Sequence, residues 1–309
     1  MRIALLCATR RGLAVLKKLT DLVPDWDLAV FSFREEPGEP LFFEQIRECT
    51  LARKGSFFET RQLTAASLKP FWEDATVDLM LVVSWRFLIP MEVYKKPRLG
   101  AFVFHDSLLP AYRGFSPTVW SIINGEDHTG VTLFEIADGI DTGDIVDQER
   151  VEIASDETIA SMVDRVTATY LRLLERNLPA LIAGSAPRRK QDHSRSTYTC
   201  RRLPSDNQID WHAPTKNIFD LVRAVGVPYA GAYTWLQGKK LTIWKAEMLP
   251  SQRNYIGRVP GRVVEVRPKT GAVVLTADGT ILVTDVQLEG GPPVCAAEAL
   301  NGLSLTLGR

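Results

Sequence analysis

The sequence is poor in cysteine that could pair. Its four cysteines, Cys7, Cys49, Cys200 and Cys295, are scattered, with no CxxC among them, so neither a disulfide framework nor a zinc site is expected. Free thiols in a reducing cytoplasm are the simplest reading. Charge of one sign is also missing: 37 Lys and Arg balance 37 Asp and Glu. That balance leaves no whole-chain electrostatic case for a nucleic acid or a membrane as partner. No apolar run approaches the length of a bilayer span; Leu79 to Val83 would fill only a strand. Met1-Arg2-Ile3 leads directly into a strand with no secretory signal ahead of it, so the expected location is cytoplasmic. Internal repeats and low-complexity tracts are absent. The loop "ATRRG" has Gly12 for a tight strand-to-helix turn but lacks the further glycines of a dinucleotide fingerprint, and NAD binding is not expected.

What remains is an ordinary soluble composition, 45% hydrophobic and 24% charged, in a chain of 309 residues, long enough for two domains. The first hundred residues alternate strand and helix. "RIALLCA", "DLAVFSF", "VDLMLVVSW" and "AFVFHDS" read as strands; "RRGLAVLKKLTDL" and "LFFEQIREC" read as helices. Strands apolar on both faces between amphipathic helices describe a mostly parallel, Rossmann-like α/β sheet covered on both sides. "SPTVWSIINGE" is a further helix. "GVTLFEI" and "DIVDQERVEI" pair around the turn "ADGIDTG", and a long helix fills 155–184. "SAPRRKQDHSRSTYTCRR" is short of apolar residues and reads as a linker. Beyond it come the short helix "NIFDLVRAV" and five period-two strands broken by Gly, Pro, Asp and Asn, the pattern of a small C-terminal OB-like β-barrel. The expected organisation is a first domain over 1–187, a linker over 188–206 and a second domain over 207–309.

Ligands gather at the carboxyl ends of strands in such sheets, which directs attention to the loops after Cys7, after Ser84 and at His105. A lone histidine at a strand end is more often a structural hydrogen-bonder than a proton carrier. His105 is set apart by the rigid polar loop "SLLPAYRG" and by the aspartates of "ADGIDTGD", Asp138, Asp141 and Asp144. A carboxylate facing an imidazole fixes its tautomer and suits it to proton transfer near neutral pH. Turn formation accounts for two of the three aspartates. Arg113 is either a surface charge or a clamp for phosphate or carboxylate.

"GAFVFHDSLLPAYRGFSPTVWSIINGEDHTGVTLFEIADGIDTGDIV" resembles the 10-formyltetrahydrofolate-dependent formyltransferases, which share N-x-H-x-S-L-L-P-x-x-R-G followed by D-T-G or D-A-G. "RRLPSDNQIDWHAPTKNIFDLVRAVGVPYAGAYTWLQGKKLTIWKAEML" resembles the entry to their C-terminal barrel, so the likeness covers nearly the whole chain. It implies that His105 and Asp141 are catalytic. It places the donor on the loop Ser84, Trp85, Arg86, Phe87, Leu88 and Ile89 with Asp138 and Gly139, and the acceptor near Asp106, Ser107, Arg113, Gly114, Arg201 and Arg202. An acceptor amine would attack the formyl carbon of 10-formyltetrahydrofolate. His105 would take the proton or, charged, stabilise the oxyanion, with Asp141 holding it.

One position departs from the pattern: Val103 stands where the family has an asparagine that donates to the formyl oxygen. Losing one such donor typically costs about 2.7–4 kcal/mol of transition-state stabilisation. Three outcomes follow: formyl transfer with a substitute donor, transfer or cleavage of another one-carbon or acyl group, or binding without catalysis. For the acceptor, the resembling tRNA enzymes carry a basic insertion after the second strand. The corresponding "FREEPGEPLFFEQIRE" is net acidic, although Lys239, Lys240, Lys245, Arg258, Arg262 and Arg267 are available in the barrel strands. A nucleotide-linked amino sugar is the first expectation, with Arg201 and Arg202 on its diphosphate. Methionyl-tRNA and a non-nucleotide amine are the alternatives, and a homo-oligomer is left open.

Overall fold

The computed structural model describes residues 1–36, 39–63, 76–250 and 253–308; Pro37 and Gly38 of the acidic stretch lie outside it. Two compact units form. The first comprises Met1–Pro117, His128–Glu152 and Val163–Cys200; the second comprises Thr118–Asp127, Ile153–Met162 and Arg201–Arg309.

Elements follow in the order β1 (Arg2–Cys7), α1 (Thr9–Leu22), β2 (Asp27–Ser32), α2 (Phe43–Ala52), β3 (Ser56–Glu59), β4 (Leu79–Val83), α3 (Met91–Tyr94) and β5 (Ala101–His105). After them come β6 (Arg113–Gly114), α4 (Pro117–Ile123), β7 (His128–Glu135), β8 (Ile145–Glu152), α5 (Ile159–Ile182) and β9 (Tyr198–Thr199). The main sheet has the order β3-β2-β1-β4-β5-β7-β8. Strands β3 to β5 pair in parallel, while β5–β7 and β7–β8 are antiparallel. Ile3 to Cys7 and Leu79 to Val83 are all buried, as central strands covered on both faces require. Helix α1 buries Leu13, Val15, Leu16 and Leu19. It lies so close to β1 that a Cβ on Gly12 would stand 2.9 Å from Cys7 Cβ. Cys7 itself is enclosed, and burial pushes its thiol above the ordinary range, so it is an inert core residue.

The segment expected as a linker is pinned within the first unit as far as Cys200: β9 pairs with β6, and Arg189 bridges to Ile145. Few apolar residues were needed, because backbone pairing holds it. The short β3 was not anticipated; "SFFE" carries too few residues for a period to show.

The second unit holds α6 (Thr215–Val225), β10 (Ala232–Leu236), β11 (Lys239–Met248), β12 (Val263–Arg267), β13 (Gly271–Leu275), β14 (Thr280–Leu288), β15 (Pro293–Cys295) and α7 (Ala296–Ala299). Its antiparallel sheet runs β10-β11-β14-β13-β12, with the unanticipated β15 also on β14. Arg223 ties residues of 153–162 to it by donating to the Ala154 and Glu157 carbonyls at 3.3 and 2.8 Å. Among the described residues, no helix is long and apolar enough to cross a membrane.

Asp78 fixes the start of the central pair of strands. One carboxylate oxygen accepts from the Arg2 backbone N–H at 2.9 Å, and the other accepts from Arg98 Nε at 3.0 Å. The Arg2 hydrogen bond, and secondarily Arg98, hold this carboxyl below its usual 3.8 against the opposing effect of burial. A depressed carboxyl pKa contributes stability that is present above the unfolded value and lost as pH falls through the folded one. Urea unfolding at pH 7, 5 and 3 should therefore show Asp78→Asn less stable at pH 7 by about 1 kcal/mol. The gap should close toward pH 3, where the native carboxylate also takes up a proton.

Candidate active site

Strand order reverses between β1 and β4, so the loops after them flank the crevice where open α/β sheets bind ligands. Two left-handed residues meet there, Thr9 at φ 64° and Ser84 at φ 53°, and Thr9 Oγ1 donates to Ser84 Oγ at 3.1 Å. On the next strand, His105 ends β5 with its ring almost buried, at 8% exposure. Its Nε2 lies 2.8 Å from the Tyr112 carbonyl, an acceptor only, so this nitrogen carries a hydrogen. That assignment leaves Nδ1 facing Asp141 Oδ2 at 3.6 Å.

Asp141 arrives from an unexpected direction. Because β7 is antiparallel to β5, pairing Phe102 with Glu135 and His105 with Thr132, the turn after β7 leaves from the far end of β5. It folds back over the sheet to bring the carboxylate to His105. Hydrogen bonds from Gly114 and Gln191 hold the aspartate's part of this turn. The Gly114 N–H donates to Asp141 Oδ2 at 2.8 Å, and Gln191 Nε2 donates to the carbonyls of Asp141 and Gly143 at 2.9 and 2.7 Å. Asp141 itself is left-handed, at φ 51°. A Cβ on Gly143 would fall 1.6 Å from the Glu135 carbonyl oxygen, so only glycine permits the fold-back.

The remaining site residues divide. Asp106 follows His105 directly and its carboxylate serves a separate network: it accepts from the Tyr170 hydroxyl and pairs with Arg11 at 3.0 Å. Phe104 stacks on the same Tyr170. Ser107 donates to the Ala111 carbonyl at 2.6 Å, closing its own loop. Arg113 is a buried strut rather than a surface charge. Its guanidinium donates to Gln191 Oε1 at 2.6 Å, His193 Nδ1 at 2.9 Å and the Tyr198 hydroxyl at 3.1 Å. Gly114 supplies its backbone N–H to Asp141. Asp138 and Gly139 belong to the exposed part of the turn, where Asp138 accepts from the Tyr94 hydroxyl at 2.6 Å. Arg201 is exposed in the second unit. Arg202, in the same unit, donates to the Asp206 carbonyl and Asn207 Oδ1 at 3.0 and 2.7 Å and lies over the Trp120 ring. Gln191 and the Tyr112 carbonyl escaped notice in the sequence. Neither residue type marks a site, and Gln191 lies fifty residues beyond the aspartate it holds.

The loop Ser84, Trp85, Arg86, Phe87, Leu88 and Ile89 follows β4. Arg86 pairs with Glu39 at 2.8 Å, and Leu88 is 89% exposed. Trp85 and Ile89 pack on a buried cluster that includes Val82 and Ala101, and Val103 and Ile136 cover the same cluster. Val103 also packs against Leu109, Phe134 and Ile145. Val103 is thus part of a continuous apolar wall. Trp85 Nε1 is a buried donor without a partner. An apolar wall carrying one unspent donor fits a flat heteroaromatic ring with acceptor atoms. Among the described residues, no group of three or more His, Cys, Asp or Glu is placed to hold a metal.

The chain matches two family models, formyl transferase over residues 28–178 and the formyl transferase C-terminal domain over residues 203–304. It therefore belongs to the formyl transferase family. Among solved structures it is similar to HypX from Aquifex aeolicus, with TM-score 0.64 and 19% identity over 98% of this chain. The chain spans about half that protein, 49% of its length. It is also similar to an N-formyltransferase from Helicobacter canadensis solved with folinic acid and dTDP-3-aminofucose, with TM-score 0.69, 18% identity and 91% and 98% of the two chains covered. A methionyl-tRNA formyltransferase from Clostridium thermocellum matches with TM-score 0.57, 19% identity and 81% and 94% coverage. At these identities the structures establish a shared fold.

Gly114 ties the two halves of the site. It is left-handed at φ 103°, and an added Cβ would meet the Thr199 carbonyl oxygen at 2.5 Å. Gly114→Ala should displace the N–H from Asp141 and destabilise the protein by about 1–3 kcal/mol, read as a lower urea midpoint.

Proposed function

We propose that this chain transfers a formyl group from 10-formyltetrahydrofolate to the primary amine of a nucleotide-linked amino sugar. The observation that carries the reading is the His105–Asp141 pair, assembled by backbone groups beside an apolar wall. The donor supplies an activated formyl carbon, and the chemistry left to the chain is proton transfer and charge stabilisation. With Nε2 committed to the Tyr112 carbonyl, Nδ1 is the nitrogen able to take the proton of the attacking amine. Asp141 then faces an imidazolium and stabilises it. As the carbon–nitrogen bond to the acceptor forms and that to the donor breaks, the same proton is available to the departing nitrogen. Val103 contributes no donor to the developing oxyanion, so the charged imidazole carries a larger share of that task.

The amino-sugar acceptor is favoured over tRNA by local charge. The stretch 33–48 is net acidic, and two cations of the second unit are matched by neighbouring acids: Lys245 lies 3.3 Å from Glu247, and Arg267 lies 2.8 Å from Glu265. The similar Helicobacter canadensis enzyme was solved with a dTDP-linked amino sugar.

Incubation with 10-formyltetrahydrofolate and UDP- or dTDP-linked amino sugars should release tetrahydrofolate. His105→Ala and Asp141→Asn should each slow release by about 100-fold or more, the range of a lost acid–base group. No release with any amine, together with no folate binding, overturns the reading. Val103→Asn distinguishes the two ways a valine site can work. A site merely weakened by valine gains turnover when the donor is restored. A site rebuilt around the apolar wall loses it, because an amide is then buried against Phe134 and Ile145.

A further inference from the structure

The first unit carries a cleft of about 320 Å³ that lies outside the residues assigned above to donor and acceptor. Its apolar floor is Leu108, Leu109, Pro110, Ala111 and Ile145, the part of the His105 loop preceding Tyr112 together with the start of β8. Its rim is the segment 189–195, with Arg189, Lys190 and Arg195 as cations and Asp192 as the single acid. Asp192 is already occupied: Oδ1 accepts from Ser194 Oγ at 2.6 Å and from Ser194 N at 3.1 Å. Arg189 spends one nitrogen on Gln148 Oε1 at 2.6 Å. Among the described residues, the heads of Lys190 and Arg195 make no hydrogen bond or ion pair.

We propose that this cleft is a phosphoryl-binding site, with Lys190 and Arg195 as the principal ligands and Arg189 as the third cation. Three cations against one acid match the double charge of a phosphoryl group better than the single charge of a carboxylate. The volume, near the lower limit of small-molecule sites, suits a phosphate with an adjoining apolar fragment rather than a whole nucleotide sugar.

The site is coupled to the catalytic pair through two shared parts. Gln191 lines the cleft and also holds the Asp141 turn by its two carbonyl contacts. Gln148, bound by Arg189, donates to the Leu109 carbonyl at 2.9 Å, in the loop whose Tyr112 carbonyl holds His105. A phosphoryl group seated here therefore bears on both residues. It has two sources, the phosphate of the acceptor itself or a free phosphate-type anion. The first source rests on the function proposed above; the second does not.

The test uses the full chain and the variant Lys190→Ala/Arg195→Ala, with Lys190→Ala alone as a milder control and thermal melting to verify folding. Calorimetric titration with inorganic phosphate, UDP and dTDP should show binding that the double variant weakens by about 10- to 100-fold. If the acceptor is the source, a nucleoside diphosphate binds more tightly than phosphate, and the variant raises the acceptor KM with kcat nearly unchanged. If a free anion is the source, phosphate binds as well as the nucleotides, and acceptor KM does not move. Equal affinity of wild type and double variant for all three probes overturns the proposal. Folate release is measured separately: turnover with unaltered anion binding removes the cleft alone, and altered anion binding without turnover removes the formyl-transfer reading alone.

Discussion

The Asp141 carboxylate is the point on which the site depends. Its turn starts at the end of β7 remote from His105 and reaches the imidazole only by folding back across the sheet. Ile136 anchors the start of that path on the core, and polar contacts hold the rest, with the Gly114 N–H on the carboxylate and the Gln191 side-chain amide on two carbonyls. Arg113 in turn fixes Gln191, and β6–β9 pairing fixes the strand on which Arg113 and Gly114 stand. The 189–199 segment is therefore part of the frame of the candidate site. A buried arginine in this role is costly to desolvate, and its several donors are what make the arrangement tolerable.

Beside this frame stands a separate charged network. Asp106 is bound by Arg11 from the first turn of α1 and by Tyr170 from α5, whose hydroxyl also donates to the Phe104 carbonyl at 3.2 Å. Burial, and then the Asp106 charge, push the Tyr170 hydroxyl well above its usual range, so it stays a donor at all ordinary pH. The end of β5 is thus braced by one network at Asp106 and by another at His105.

Much of the fold was legible because it is written in periodicity. Fully apolar runs marked β1 and β4, helical spacing marked α1, and period-two alternation marked the C-terminal sheet. The elements that went unread, β3, α3, β6, β9, β15 and α7, are all of two to four residues and too short to show a period. In the candidate site, His105 and Asp141 were singled out by residue type and the motif around them, whereas Gly114 was expected beside the acceptor and its N–H donates to Asp141. Arg113 was visible as a charge, but its burial was not, since burial depends on residues 191–198 packing against it. Gln191 had no local signature at all.

The sequence alone determined the two-layer chemistry of the chain: which strands would be covered on both faces, where glycine would permit sharp turns, and that an imidazole would stand at a strand end. Those are consequences of side-chain polarity and backbone freedom over a few residues. Only the tertiary structure decided which carboxylate would face that imidazole and which would be drawn into a network of its own. It also decided that Val103 would join an apolar wall and that three cations would rim one cleft. Each of these depends on antiparallel registry and on contacts between residues tens of positions apart, which no local pattern encodes.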